Sequence, residues 1–200
     1  MAVAFQAAGS AVATTTTTLA LVAPTIVAGD VMFALIVSKN NTAVVAPHGW
    51  NLVADTANTA AMQTYLGWRR CGIDDSAATF NFTVAGTTLS YGVLVTYRGV
   101  ADGGSAISGF SSSANALSDN VTYATLGSQA AGLFVAFGAY SLSATTAGAF
   151  SGTIPTFSAA RVDAETASGT TASLFVHDGQ STTGVATGSR TLATASTTDA

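Results

Sequence analysis

The sequence predicts an all-β protein, an antiparallel β-sandwich of jelly-roll or related Greek-key topology. Apolar and polar residues alternate along most of the apolar segments, 20 glycines punctuate the 200 residues, and no longer stretch has the periodicity of an amphipathic helix. A period of two places every second side chain on one face of an extended strand, whereas a helix needs a period of 3.6. About ten short strands separated by turn signals are typical of sandwiches and barrels.

The clearest strand covers residues 79–84, where Phe80, Phe82 and Val84 alternate with polar residues. Segments 31–37 and 133–137 are apolar at every position, which predicts strands that are covered on both faces. The other predicted strands are residues 3–7, 15–22, 51–54, 63–69, 91–97, 158–163, 174–177 and 190–193. Residues 54–61 are compatible with one or two helical turns.

The length fits one domain, which we divide into three segments. Residues 1–13 are predicted as an N-terminal arm or edge strand, residues 14–192 as a single β-sandwich domain, and residues 193–200 as a polar C-terminal tail. The threonines at positions 14 to 18 have branched Cβ atoms, which favour extended backbone. This run is therefore predicted to be an early strand and not a flexible linker.

Charged residues make up only 8% of the chain, against roughly a quarter in an ordinary soluble protein. Six lysines and arginines and a net charge of −4 argue against binding to nucleic acid, which needs a basic surface. The longest aliphatic or aromatic run is residues 31–37, whereas a membrane helix needs about 20 such residues. Residues 1–13 lack the basic and apolar regions of a signal peptide, so we expect synthesis in the cytoplasm and no membrane partner.

Few side chains are available for catalysis. His48 lies in a turn without a second metal ligand at short spacing. His177 and Asp178 are adjacent, so on a strand they would point to opposite faces and would not form a catalytic pair. Asp74 and Asp75 are neighbours in one loop and do not face each other across a cleft. We therefore predict that the chain is not an enzyme and has no cofactor, catalytic residue or metal site.

Two binding roles stay open beside this prediction. A calcium ion bound in a loop would use Asp74 with Asp75, or Asp102 with Asp119. A bound sugar would stack on the exposed ring of Trp50 or Trp68, and a receptor-binding head would use Trp50 and Tyr65 as its anchors. The simpler prediction for both tryptophans is an anchor in the core.

The arginines and the single cysteine are expected to have structural roles. Arg69 and Arg70 would point to opposite faces of a strand, and one of them would reach a carboxylate at the rim. Arg161 and Asp163 would share a face and pair at the surface. Cys71 is expected to be an inert small residue, because one cysteine allows no internal disulfide.

The scarcity of charge favours contact between subunits. Soluble surfaces usually mix both charges, and exposed strand edges are protected by lysine or proline, but this chain has one lysine and three prolines. The cores of protein interfaces are depleted in charge in the same way. We therefore predict a homo-oligomeric building block. The N-terminal segment is predicted to contact a neighbouring subunit by strand pairing or apolar packing. The predicted contact residues are Val3, Phe5, Thr14, Thr16 and Thr18.

Five strand-and-turn motifs follow one another between residues 29 and 100. They are Gly29-Asp30 before an apolar strand, Pro47-x-Gly49-Trp50-x-Leu52-Val53, Tyr65-Leu66-Gly67-Trp68-Arg69-Arg70, Phe80-x-Phe82, and Thr96-Tyr97-Arg98-Gly99-Val100. Together they resemble a β-sandwich module found in structural proteins of tailed bacteriophages. The resemblance covers about a third of the chain and implies a virion component without catalytic residues.

The resemblance and the scarcity of charge together predict a bacteriophage virion structural protein. The first choice is a capsid decoration or cement protein that binds the outer shell as a homo-oligomer, with a trimer favoured, and stabilises it. Its partners would be the major capsid protein or other virion subunits, and its location the virion after synthesis in the host cytoplasm. The alternatives are a tail, tail-tip or receptor-binding subunit and, from another class, a carbohydrate-binding module or β-sandwich glycosidase. An ice-binding protein would need threonine arrays on several strands, and residues 14–18 supply one at most.

Overall fold

The computed structural model describes residues 2–58, 62–102, 105–112, 120–123, 126–129, 132–140, 145–150, 160–165, 172–181, 185–187 and 190–196. Within these ranges the regular elements are all β-strands, and every strand pair is antiparallel. The prediction of an all-β, antiparallel protein is confirmed at this level.

The strands fall into two compact units, Met1–Ala106 and Ile107–Ala200. In the first unit they are β1 (Ala4–Ala8), β2 (Val12–Thr14), β3 (Thr18–Val22), β4 (Val31–Lys39), β5 (Val44–Val45), β6 (Asn51–Asn58), β7 (Met62–Arg70), β8 (Thr79–Val84) and β9 (Ser90–Arg98). In the second they are β10 (Asn120–Tyr123), β11 (Leu126–Gln129), β12 (Gly132–Tyr140), β13 (Thr145–Phe150), β14 (Val162–Glu165), β15 (Ser173–Ser181), β16 (Val185–Thr187) and β17 (Arg190–Ser196).

The first unit contains two sheets. The large sheet has the strand order β1-β9-β4-β7-β6, with β2 also paired to β9, and the small sheet has the order β3-β8-β5. β4 is the central strand of the large sheet, because it pairs with β7 on one side and with β9 on the other. Its residues are buried on both faces from Val31 to Ser38, which confirms the prediction from the apolar run 31–37.

One hydrophobic cluster joins the two sheets. The large sheet contributes Met32, Ala34, Ile36, Tyr65 and Leu94, and the small sheet contributes Leu19, Leu21, Val44, Phe80, Phe82 and Val84. The ring of Trp50 packs edge-on against Phe80 and Phe82 at centroid distances of 5.6 and 5.2 Å, as expected for a core anchor. The alternation predicted for residues 79–84 therefore places the phenylalanines in the core and the intervening residues outside.

The threonine run forms a bend between the two sheets. Thr14 ends β2 in the large sheet, residues 15–17 bend, and Thr18 begins β3 in the small sheet. The backbone N–H of Thr16 donates to Oγ1 of Thr14 at 3.1 Å, and Oγ1 of Thr16 donates to the carbonyl of Thr18 at 3.1 Å. Threonine hydroxyls stabilise bends in this way because they replace backbone partners. The predicted strand is therefore wrong for residues 15–17.

The helical turns considered for residues 54–61 are also wrong over the described part of that segment. β6 continues as a strand to Asn58 and pairs with β7 from Asn51 to Asn58 apart from a bulge at Val53, with Asn58 opposite Met62. Tertiary pairing of this kind overrides the weak local preference of small residues. Residues 59–61 lie outside the described residues. β2 and β5 were not predicted, because strands of two or three residues carry no periodic signal.

The second unit has three sheets among its described residues, with the orders β10-β17-β13, β11-β16 and β12-β15-β14. The predicted strands 133–137, 174–177 and 190–193 lie within β12, β15 and β17, and are confirmed. Of the predicted strand 158–163, residues 158 and 159 lie outside the described part, the prediction is wrong for residues 160 and 161, and residues 162–163 begin β14. β17 continues to Ser196, into the segment predicted as a tail. The predicted boundaries of arm, domain and tail stay a prediction.

Gly92 on β9 allows the two sheets to approach each other. A Cβ atom at this position would lie 2.9 Å from Cγ1 of Ile36 and 2.9 Å from Cδ2 of Leu19. We expect Gly92→Ala to lower the free energy of unfolding by about 1–3 kcal/mol, because a packed core resists added volume. Urea denaturation measures this loss. Gly86→Ala is the matched control, since its Cβ would meet Cγ2 of Thr42 at an ordinary 3.6 Å. Equal losses at the two positions would contradict the explanation.

Candidate assembly surface

The N-terminal segment is part of the large sheet and lies at its edge. In β1, Phe5 lies opposite Tyr97 of β9, and the two rings meet edge-on with their centroids 5.8 Å apart. Oγ1 of Thr96 donates to the carbonyl of Ala7 at 3.1 Å. Val3 and Phe5 are half-buried as a result. Their predicted role in assembly stays a prediction, and in the described part of the chain β1 is an edge strand of the large sheet.

The three threonines predicted as assembly contacts have different surroundings. Thr14 is half-buried, and its Oγ1 lies 2.9 Å from Oγ1 of Thr16. Thr16 and Thr18 are exposed. Only Thr18 belongs to a larger flat surface, the outward side of the small sheet.

The outward side of the small sheet carries no ionisable group, and we call it the outer face. Its residues are exposed and are related by strand register: Thr18, Thr83 and Val45 form one row, Ala20 and Asn81 the next, and Val22 and Thr79 the third. The face thus exposes β-branched, alanine and asparagine side chains over three strands. Sequence reasoning missed it because its rows combine residues that are far apart in the chain.

Two loops adjoin the outer face at the end where β3 stops and β8 starts. Residues 23–30 and residues 71–78 are joined by hydrogen bonds from Ala23 N–H to the carbonyl of Ala78 at 2.8 Å and from Ile26 N–H to Oγ of Ser76 at 3.3 Å. These loops expose 52% of Val27 and 84% of Ile73. Of the six large apolar side chains exposed in the described part of the chain, four lie on this face or these loops: Val22, Val27, Val45 and Ile73.

The arginines whose side chains the structure describes are paired with acidic residues. Each of them forms an ion pair with an aspartate: Arg69 with Asp75 at 2.8 Å, Arg70 with Asp102 at 3.0 Å, Arg98 with Asp30 at 2.8 Å, and Arg161 with Asp178 at 3.0 Å. Both Arg69 and Arg70 reach a carboxylate, where one of them was expected to. Asp178, on β15, is a partner of Arg161 that the sequence did not predict.

Asp30 is the most buried of these carboxylates, at 1% exposure. It accepts two hydrogen bonds from Arg98, at 2.8 and 2.9 Å, and one from the N–H of Val27 at 3.0 Å. Burial alone would raise the pKa of Asp30, but the hydrogen bonds and the charge of Arg98 outweigh it, so the pKa lies below its ordinary 3.8. The pair thereby fixes the loop that leads into β4.

The candidate catalytic residues are divided between the two units. His48 is exposed in its turn, and Asp74 is exposed while its neighbour Asp75 is bonded to Arg69. His177 and Asp178 are both buried on β15. Among the described residues, no group of three or more histidines, cysteines, aspartates or glutamates is placed to hold a metal ion.

Burial bears on two expected roles, that of Tyr65 as an anchor for a sugar and that of Cys71 as an inert residue. Tyr65 is 4% exposed, so it does not offer a ring to a sugar; burial and the charge of Asp55 raise its pKa to about 12. Cys71 is 4% exposed within the core cluster. Burial, and then the charges of Asp75 and Asp30, raise the pKa of its thiol to about 12, which confirms an inert cysteine. Asp119 lies outside the described residues.

The pair of Asp30 and Arg98 generates a prediction about acid stability. We expect Asp30→Asn to lower the free energy of unfolding by about 1–3 kcal/mol at neutral pH, because buried hydrogen bonds to a charged group are lost. Since the pKa of Asp30 is lower in the folded than in the unfolded chain, this stabilisation is present above pH 3.8 and is lost as the pH falls through the folded value. Urea denaturation across this pH range should find the difference between native and variant shrinking in acid.

Asp102→Asn is the control for this experiment, because the Asp102 side chain is 93% exposed in its pair with Arg70. Exposed ion pairs contribute about 0–1 kcal/mol, so this change should be nearly neutral. A loss at Asp102 as large as the loss at Asp30 would contradict the role assigned to burial.

Within the described part of the chain, no helix has the length and apolar character required to span a membrane. In comparisons with protein-family models, with curated proteins and with solved structures, nothing matches this chain.

Proposed function

We propose that this chain is a structural protein of a bacteriophage virion, of the capsid decoration or cement type, that binds the outer shell as a homo-oligomer and stabilises it. The observation that carries the proposal is the outer face of the small sheet, which is exposed and free of charge. Burying ionised groups costs several kcal/mol per ion, whereas alanine and valine are buried favourably and a threonine hydroxyl is buried at little cost when it keeps a hydrogen bond. Such a face suits lasting contact with another subunit.

The proposal includes a jelly-roll topology for the first unit. Its support is a nested set of antiparallel pairs, β2 with β9, β3 with β8, and β4 with β7, as arises when a long hairpin rolls up on itself. These pairs are divided between two sheets that share one core. Jelly rolls are frequent in viral capsid proteins, although the fold is also used by lectins and so favours a virion only by analogy.

The edge of the large sheet supplies the second contact in this proposal. β1 lies outermost beside β9, so a strand of the major capsid protein or of another copy can extend the sheet along it. Val3 and Phe5, predicted as assembly contacts, lie at this edge. Contacts that are weak one by one suffice on a symmetric shell, because many act together. A trimer is the oligomer we favour.

The test is the composition of intact virus particles from the source of the sequence. We expect mass spectrometry to find the chain in many copies per particle and cryo-electron microscopy to place it on the outer shell. Density confined to the tail would replace the decoration role with that of a tail or receptor-binding subunit. Absence of the chain from the particles would overturn the proposal.

A stabilising role predicts a measurable effect on the shell. Particles that lack the chain should open at a temperature several degrees lower than complete particles, and adding the purified protein should restore the difference. Differential scanning fluorimetry with a dye that binds released DNA measures the opening. A glycan array with a hydrolysis assay is the counter-test, and turnover of any glycan would favour a β-sandwich glycosidase instead.

A further inference from the structure

We propose that the outer face of the small sheet is a two-fold contact between two copies of this chain, with Asn81 on the axis. The proposal deepens the proposed function, since it names one surface through which the building block self-associates. It concerns the seven residues of the outer face, and its occupant is the same face of a second copy.

Charge is the first reason to choose a second copy. The chain has a net charge of −4, so contacts that bring the acidic residues of two copies together are disfavoured. None of the ten acidic residues and none of the six basic residues lies on the outer face. Two such faces can meet without bringing like charges together and without desolvating an ion. The face offers no charge by which a partner of opposite charge would be steered to it.

The position of Asn81 is the second reason. It lies on β8, the middle strand, and in the middle row, between the row of Thr83 and the row of Thr79. In an isologous contact the residue on the axis meets its own copy. An asparagine amide both donates and accepts hydrogen bonds, so two copies of Asn81 can pair with each other. A single buried asparagine fixes register in this way in coiled coils.

The apolar residues of the face are arranged to support such a contact. Val22 and Val45 are 47% and 61% exposed and stand at diagonally opposite corners, on the two outer strands. Each would lose its exposed surface when the faces meet, and apolar burial contributes roughly 25 cal/mol per Å². In this contact the amide of Asn81 fixes the relative orientation of the two copies, and Val22 and Val45 supply much of the affinity.

The size of the face predicts a weak contact. β3 and β8 pair over five residues and β5 adds two, so strands about 4.8 Å apart span roughly 200 Å² here. A standard interface uses about 800 Å² on each partner. Even with the adjoining loops, we expect association only at high concentration in solution. On a shell, where neighbouring copies are held side by side, the same contact becomes stable through avidity.

The experiment is a charge swap at the axis, read by sedimentation velocity from micromolar to millimolar protein. The native chain should associate with rising concentration, and Asn81→Asp should weaken this step at least tenfold, because two carboxylates meet. Asn51→Asp is the matched control, the same change at an exposed position of β6 in the large sheet, and it should associate like the native chain. An equimolar mixture of Asn81→Asp and Asn81→Lys should restore association, which also verifies that both variants fold.

Several outcomes would overturn the contact: a native chain that does not pair through this step, an Asn81→Asp variant that associates like the native chain, or a mixture that associates no better than either variant alone. If the chain is a trimer, the step affected is the pairing of trimers. Failure of the virion role is distinguishable, because a chain that pairs through Asn81 but is absent from particles contradicts only the proposed function.

Discussion

Strand β4 is the element on which the first unit depends. Its residues 31–38 are buried on both faces, so the backbone amides of this strand have no water to bond and need neighbouring strands on both sides. β7 and β9 fill these places, β7 adds β6 beyond it, and β9 adds β1 and β2. One face of the resulting sheet packs on the small sheet through the shared core. The strand order of the large sheet is therefore built outward from β4, whose backbone hydrogen bonds are made by a strand on each side.

Two of the four ion pairs in the described part of the chain, Arg98 with Asp30 and Arg70 with Asp102, fasten the end of the large sheet at which β4 begins. Arg70 lies opposite Val31 at the start of β4, and Arg98 ends the strand on the other side. Arg70 donates to the carbonyls of Gly29 and Val100 at 3.0 and 3.3 Å, while Arg98 holds Asp30. Charges bound in this way are not available to keep copies apart. Charged residues make up 8% of the chain, and the seven residues of the outer face include none.

Much of the fold was predictable where a strand carries a clean pattern. β8 was predicted with its observed bounds, because Phe80 and Phe82 alternate with exposed residues. The threonine bend was not predictable from branched Cβ atoms, since propensity is local, whereas the bend depends on hydroxyl bonds and on the change of sheet at Thr18. The outer face requires the register between strands, such as Thr18 opposite Thr83, which a single sequence does not contain. The pairing of Arg98 with Asp30 was not predictable for the same reason, because the two residues are 68 positions apart in the chain.

The burial of Cys71 has a practical consequence for measuring how copies meet. The chain has no other cysteine, and this thiol lies in the core with its pKa raised to about 12, so it reacts slowly with maleimide reagents at neutral pH. A cysteine introduced at any exposed strand position will therefore take up a spin label or fluorophore selectively. Distances between labelled neighbours can then be read in solution or on an intact shell without first replacing the native thiol.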